Sequence, residues 1–168
     1  MRKIILASSS IHRKKLLKQI KLKFTAISPD IDESRIKNEP VNKFVRRLSI
    51  EKAMKIAVLK KNSIVIGSDE IAVVDNKILG KPLSKKVAQE QLKFISGKKI
   101  VFKTGICVID TNTMKKFASV VNYDIKMKKL SKKIIDNYIK KEDMLNCAAS
   151  IRIEGLAISL VEKTSGED

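Results

Sequence analysis

Four short groups of residues have the types and spacing to do chemistry. In the first, Leu6-Ala7 leads into three hydroxyls, Ser8-Ser9-Ser10, and then Ile11, His12, Arg13 and Lys14. If a helix starts at Ile11, its open N–H groups and the positive end of its dipole face whatever approaches the turn. Arg13 and Lys14 add charge, and the combination suits a phosphate. The plainer reading is an ordinary capped helix with exposed basic residues. No Gly-x-x-x-x-Gly-Lys-[Ser/Thr] run occurs here, which excludes the P-loop mechanism. The second group is Gly67-Ser68-Asp69-Glu70 at the end of an apolar strand. Adjacent carboxylates at a strand terminus can hold Mg²⁺ and orient a water; a polar turn that stops the strand is the alternative. The third is Gly80-Lys81-Pro82, a tight turn presenting one lysine, or simply a loop. The fourth is Ile153-Glu154-Gly155, a carboxylate between apolar residues, which on a strand would ordinarily face solvent.

The elements that position these groups follow from periodicity. Ile4-Ile5-Leu6-Ala7 reads as a short buried strand over 2–7, and Ser8–Ser10 cap a helix over 11–20 whose apolar face is Ile11, Leu16, Leu17 and Ile20. Alternation over 22–28 predicts a second strand. A polar loop from Pro29 to Glu39 leads to Pro40, suited to the first turn of a helix running to about Lys60. Ser63–Gly67 and Ile71–Val74 predict β structure, with Asp75-Asn76 as the hairpin turn into Lys77-Ile78-Leu79. A helix from Ser84 to Ser96 is stopped by Gly97, strands cover about 99–110 and 115–127, and Ser131 opens a helix to about Lys140. Ile151–Val161 reads as a closing strand. Helices alternating with strands and hairpins predict a single α/β domain with a mixed sheet over residues 1–168.

Composition bounds the remaining possibilities. The chain has 168 residues, 36 of them Lys or Arg against 18 acidic, a formal charge of +18. That charge invites a nucleic-acid partner. Yet 30 of the cations are Lys and six are Arg, aromatics are 4% and Trp is absent, so base-reading forks and stacking platforms are scarce. The lysines are spread in pairs along the chain, and Lys, Ile and Asn together make about a third of it, as codon drift toward A and T would produce. The expectation is a lysine-coated surface without nucleic acid. No apolar run reaches the roughly 18 residues of a membrane span, and Ile4–Ala7 is too short for a secretory signal, so a cytoplasmic protein is expected. Cys107 and Cys147 have no metal-ligand spacing and read as buried and inert, and the single histidine, His12, excludes a histidine metal cluster.

Taken in order, these segments resemble the Maf family of nucleoside triphosphate pyrophosphatases. Leu6–Leu17 is similar to the family's opening Leu-Ala-Ser-x-Ser-Pro-x-Arg-x-x-Leu-Leu segment. Asp32-Glu33, Arg47-Leu48 with Glu51-Lys52-Ala53, Gly67-Ser68-Asp69, Leu79-Gly80-Lys81-Pro82-Leu83, Ser96-Gly97 and Thr104-Gly105 follow in the family's order and spacing. Within the family the chain looks most like the subgroup acting on 7-methyl-GTP. It shares Gly67-Ser68-Asp69 rather than Gly-Ala-Asp, the stretch Ile135–Glu142 with Cys147-Ala148, and Glu154-Gly155 where another subgroup has Gln-Gly.

The resemblance implies one α/β domain with an elongated mixed sheet and two lobes around a cleft (Maf/ITPase-like), commonly dimeric, using a divalent cation such as Mg²⁺ or Mn²⁺. It implies Asp69 as the acceptor of the attacking water's proton; Ser8, Ser10, Arg13, Lys52 and Lys81 at the triphosphate; and Glu33, Asp69 and Glu70 at the metal. His12, Glu70 and Glu154 would set base preference. The chain also departs from the subgroup. It has Ile11-His12 for Pro-Trp, Glu70 for Gln and Ala148-Ala149 for Ala-Gly. Its sequence stops at Ser165–Asp168 where relatives continue through Gly-Leu-Pro-Leu and a final helix, which leads us to expect a shorter sheet edge.

Two other functions are consistent with these residues: a catalytically impaired nucleotide-binding remnant, which would bind without turnover, and a basic nucleic-acid-binding module, whose affinity would not depend on Asp69 or Glu154.

Overall fold

The structure is a computed structural model that describes residues 2–166. Its elements in chain order are β1 (Lys3–Ala7), α1 (Ile11–Gln19), β2 (Thr25–Ile27), α2 (Val41–Ala57), β3 (Ser63–Val74) and β4 (Lys77–Leu79). Then come α3 (Lys85–Ile95), β5 (Lys99–Asp110), β6 (Lys116–Met127), α4 (Lys132–Lys141) and β7 (Val161–Gly166). The seven strands form one sheet in the order β2-β1-β3-β5-β6-β7, with β4 on β3. Pairing is parallel from β1 to β2 and β3, and antiparallel from β3 to β4 and from β6 to β7, so the mixed α/β class is confirmed. The closing contacts group the chain into two units: one runs to Asp69 and takes in Thr104–Val121, and the other holds Glu70–Lys103 and the chain from Asn122 on. Among the described residues no helix is long and apolar enough to cross a membrane.

In the first unit, parallel register sets Ala7 beside Gly67 and beside Ile27. The continuous apolar runs of β1 and β3 suit strands covered on both faces. Ile5, Ala7, Val65, Cys107 and Ile109 pack there with Ala53, Ile56 and Ala57 of α2. Helix and sheet approach closely because two strand positions lack a side chain. A Cβ on Gly67 would overlap the Ser49 carbonyl and come within 2.8 Å of the Ala53 Cβ, and one on Gly105 would lie 2.5 Å from the Val45 carbonyl oxygen. The expected apolar face of α1 is largely open: Ile11, Leu16 and Ile20 are 66%, 61% and 64% exposed, and Leu17 alone of the four is half-buried.

The core of the second unit joins Ala88, Leu92 and Ile95 of α3, Ile135 and Tyr138 of α4, and Ile100, Phe102, Ile125 and Met127 of the sheet. Ser84 and Ser131 cap α3 and α4 as the sequence predicts, and Gly97 takes a φ of +69° just beyond α3. Asp75 and Asn76 both adopt positive φ, the geometry that a tight two-residue hairpin demands.

Three expectations are corrected. Residues 63–74 form one strand rather than two segments, so Asp69 and Glu70 sit mid-strand and not at a terminus. The second strand is only Thr25–Ile27, with Leu22–Phe24 outside it. The strand over 151–161 does not form. Residues 153–155 turn, Leu156–Leu160 make a 3₁₀ segment, and β7 begins at Val161. The apolar residues there serve packing rather than a ladder, with Ile151, Ala157 and Leu160 buried against the core. Just before this turn, Ala149 is held at φ 54°, a conformation that favours glycine.

Candidate functional site

The β1–β3 register is what assembles the first unit's site. Because Ala7 pairs with Gly67, the turn that leaves β1 emerges beside Ser68 and Asp69. Ser8 is buried there. Its Oγ accepts from the Ser10 N–H at 3.1 Å and from the Arg13 guanidinium at 3.4 Å. Ser10 Oγ in turn caps α1, accepting from the Arg13 N–H. Ser8, Ser10 and Arg13 are thus one bonded turn at a helix N-terminus, and His12 lies half-buried in the helix's first turn.

Next to this turn, Lys52 of α2 and Asp69 of β3 are both buried. Lys52 Nζ donates to Asp69 Oδ1 at 2.6 Å and lies 2.8 Å from Glu33 Oε1. Removing one partner of a buried pair leaves an uncompensated charge and costs about 3 kcal/mol or more, so these groups hold one another in place. Glu33 approaches from the 28–40 loop, and its side chain is 59% exposed. The loop itself is pinned by Arg47 of α2. The Arg47 guanidinium meets both oxygens of Glu39 at 2.8 and 2.9 Å, Glu51 at 3.1 Å and the Ser34 carbonyl at 3.0 Å. Arg35 also donates to the Glu39 carbonyl. The Arg47 hydrogen bonds hold the Glu39 carboxyl below its ordinary value, and the bonds from Ser34 do the same for Asp32.

Glu70, Lys81 and Glu154 belong to the second unit. Asp69 is buried and Glu70 exposed, so these neighbouring carboxylates of β3 stand in different surroundings. Among the described residues no three His, Cys, Asp or Glu side chains gather into a protein-only metal cage. Glu33 and Asp69 nevertheless converge on a single cationic group, the Lys52 ammonium. Mg²⁺ is commonly held by one or two carboxylates together with substrate phosphate oxygens and water, and this pair fits that habit.

Lys81 is exposed on the loop between β4 and α3, which is tied down on both sides of it. The Gly80 carbonyl accepts from Gln91 Nε2 at 3.0 Å and from the Ala149 N–H at 3.2 Å, and the Leu83 N–H donates to the Leu145 carbonyl. Glu154 sits on the 153–155 turn with its carboxylate 49% exposed and 3.6 Å from Arg152 Nε. Of the two cysteines, Cys107 is buried, whereas Cys147 is only partly so. Burial, followed by the charge of Glu154, pushes the Cys147 thiol up to about 11, which keeps it protonated and inert at neutral pH.

Arg47 and Glu39, which fasten the loop carrying Glu33, are not foreseen from their types and spacing, though Arg47 lies in a quoted motif. Glu142 and Arg152 are likewise missed. Only their partners in space reveal them: Glu142 closes the quoted Ile135–Glu142 stretch and Arg152 adjoins Ile153-Glu154-Gly155, but neither residue type nor spacing pairs the two.

The chain is similar to known proteins in sequence and in fold. The family model described as "Maf-like protein" matches residues 3–168. A protein of Aliivibrio fischeri named 7-methyl-GTP pyrophosphatase is 42% identical over 166 residues, covering 99% of this chain and 86% of its own. Proteins of the same name from Pseudomonas aeruginosa and Pseudomonas syringae pv. syringae are 41% and 40% identical, covering 98% and 100% of this chain and 86% and 88% of theirs. Among solved structures, the Staphylococcus aureus Ham1 protein superposes with a TM-score of 0.50 at 17% identity, over 75% of this chain and 72% of that one, a likeness of fold.

Proposed function

The chain belongs to the Maf family, and from that membership we propose that it is a nucleoside triphosphate pyrophosphatase acting on 7-methyl-GTP. Water attacks the α-phosphorus, the bond to the bridging oxygen of the β-phosphate breaks, and 7-methyl-GMP and diphosphate leave. The observation that carries the reading is the Lys52 ammonium set between Asp69 and Glu33, one strand register away from the Ser8–Arg13 turn.

The obstacle in this reaction is charge, since water must approach an anionic phosphorus and an anion must depart. Positioned cations meet most of that need. Arg13 and the N–H groups at the start of α1 bind phosphate oxygens and Lys52 adds its charge beside them, while Lys81 is the further phosphate ligand that the family resemblance implies. Asp69 takes the proton of the attacking water, and the Lys52 bond at 2.6 Å keeps its carboxylate aimed. A divalent cation held by Glu33 and Asp69 would supply neutralisation of the charge that grows on the transferred group.

For the base, guanine offers two neighbouring N–H donors on its pairing edge, and a carboxylate such as Glu154 accepts both where an amide would mismatch one. Methylation at N7 makes the ring cationic, which a second acid such as Glu70 would favour further, and on which an imidazole such as His12 would stack only weakly. From the family resemblance this reading also takes cytoplasmic house-cleaning of modified nucleotides as the role and the dimer common in the family as the assembly.

The test is a panel of triphosphates incubated with the purified chain and Mg²⁺ or Mn²⁺. Release of 7-methyl-GMP and diphosphate, fastest among the panel, is expected; absence of monophosphate from every nucleotide ends the proposal. Asp69→Asn should lower kcat by about 10³-fold, within the range of a lost general base, with an unchanged circular dichroism spectrum. An active Asp69→Asn protein refutes the assignment of the base.

A further inference from the structure

Glu142 is the C-cap residue of α4, its N–H donating to the Tyr138 carbonyl, but the negative pole of the helix dipole disfavours its charge, so the cap does not account for the carboxylate. Its side chain is only 7% exposed. A carboxylate so placed must be satisfied on all sides. Oε1 accepts from Arg152 Nη1 at 2.9 Å and from the Asp143 N–H at 3.0 Å, and Oε2 accepts from the Leu156 N–H at 2.6 Å. A Cβ at Gly155 would overlap Glu142 Oε2, so any larger residue there would push the carboxylate from its present place. The whole 152–156 turn is wrapped around this one carboxylate, and the turn carries Glu154.

Arg152 stands between two acids. It hydrogen-bonds Glu142 at 2.9 Å and makes a longer ion pair with Glu154, its Nε 3.6 Å from Oε1 and beyond hydrogen-bond reach. That Nε is buried and makes no hydrogen bond among the described residues. A guanidinium released from Glu142 would therefore close on Glu154 through a donor already facing it. The Glu154 oxygens would then be engaged by an arginine fork at the moment the base requires them.

We infer that Glu142 is a specificity-positioning residue: it holds Arg152 back from Glu154, so that the Glu154 carboxylate serves the base of the substrate. The inference rests on the reading of Glu154 as the acceptor for guanine. It differs from a structural role in a measurable way. A loosened turn impairs every nucleotide alike, and a second lesion in the same network makes matters worse. A guanidinium competing for Glu154 impairs guanine selectivity and is relieved by removing the guanidinium.

The experiment reads the ratio of kcat/KM for 7-methyl-GTP over that for UTP in four full-length proteins: Glu142→Gln, Arg152→Gln, the double variant, and Glu154→Gln. Glu142→Gln should lower the ratio about tenfold, chiefly through KM for 7-methyl-GTP, a modest effect for a misdirected contact group. The double variant should recover most of that loss. Arg152→Gln alone should hold the ratio at or above that of the unaltered protein, which keeps the test decisive even if Glu142→Gln does not fold. An unchanged ratio in Glu142→Gln, a double variant worse than Glu142→Gln, or a reduced ratio in Arg152→Gln overturns the inference. If Glu154→Gln itself leaves the ratio untouched, the base role of Glu154 falls, and this inference with it.

Discussion

Lys52 is a buried ammonium whose neighbours, Asp69 at 2.6 Å and Glu33 at 2.8 Å, approach from a strand and from a loop. Two anions on one cation leave this group of three with a net negative charge, and such a group accepts a further cation more readily than an isolated pair would. At the residue scale the chain's departure at His12 matters most for selectivity. An indole at that position would stack on the cationic ring of N7-methylguanine far better than imidazole does, and cation–π contact of this kind is worth about 0.5–2 kcal/mol. His12→Trp should therefore raise the preference for 7-methyl-GTP over GTP by roughly two- to thirtyfold. Competition kinetics with the two nucleotides checks this, and an unchanged preference would remove His12 from the base site.

Helix α2 is the element on which the first unit's chemistry depends. It supplies Lys52 from its buried side and Arg47 from the side that meets the 28–40 loop, so one helix registers both the ammonium and the loop bearing Glu33. That register needs α2 to lie almost on the sheet, which Gly67 and Gly105 allow. Gly67→Ala would force the helix outward against the Ser49 carbonyl and the Ala53 backbone, neither of which can rotate away. Overpacking of this sort costs about 2–3 kcal/mol, and the melting temperature should fall by about 5–10 °C. Gly80→Ala is the control, since a Cβ there meets nothing within 4 Å, and its melting temperature should move by about 1–2 °C at most. Equal losses in the two variants would mean that close helix approach is not what Gly67 provides. The glycine of the Gly67-Ser68-Asp69 motif is thus explained by packing, and the aspartate two residues on by chemistry.

For the whole molecule, pH is the informative variable. Four carboxyls are held below their ordinary values in the folded chain: Glu39 by Arg47, Asp32 by Ser34, and Asp110 by the Asn112 N–H and Arg2. The fourth is Glu142, for which burial pulls upward but is outweighed by the bonds from Leu156, Asp143 and Arg152. A group with a depressed folded value binds fewer protons folded than unfolded at moderately low pH. Its stabilisation is complete above the unfolded value and is lost as pH falls through the folded one. The melting temperature should hold steady from pH 8 to 6 and drop below about pH 4.5, where the +18 surface also gains charge as its acids are neutralised. Glu142→Gln should show a smaller acid-induced drop than the unaltered chain, and an equal drop in thermal melts would remove Glu142 from this balance.

Much of this organisation is legible in the linear chain because it is local. Caps at Ser10, Ser84 and Ser131, the Asp75-Asn76 hairpin and the stop at Gly97 each depend on a residue's own backbone preference, and all form as expected. The resemblance of ordered motifs likewise names Asp69, Lys52 and Glu33 before any fold is known. What distance in space decides is different in kind. That Asp69 is buried and Glu70 exposed is set within a continuous β3, and in place of a strand over 151–161 stands a turn whose Leu156 N–H donates to Glu142. Hydrogen bonds and ion pairs reach only about 3 Å, so partners as far apart in sequence as Ser34 and Arg47, or Glu142 and Leu156, are matched only when the backbone has folded.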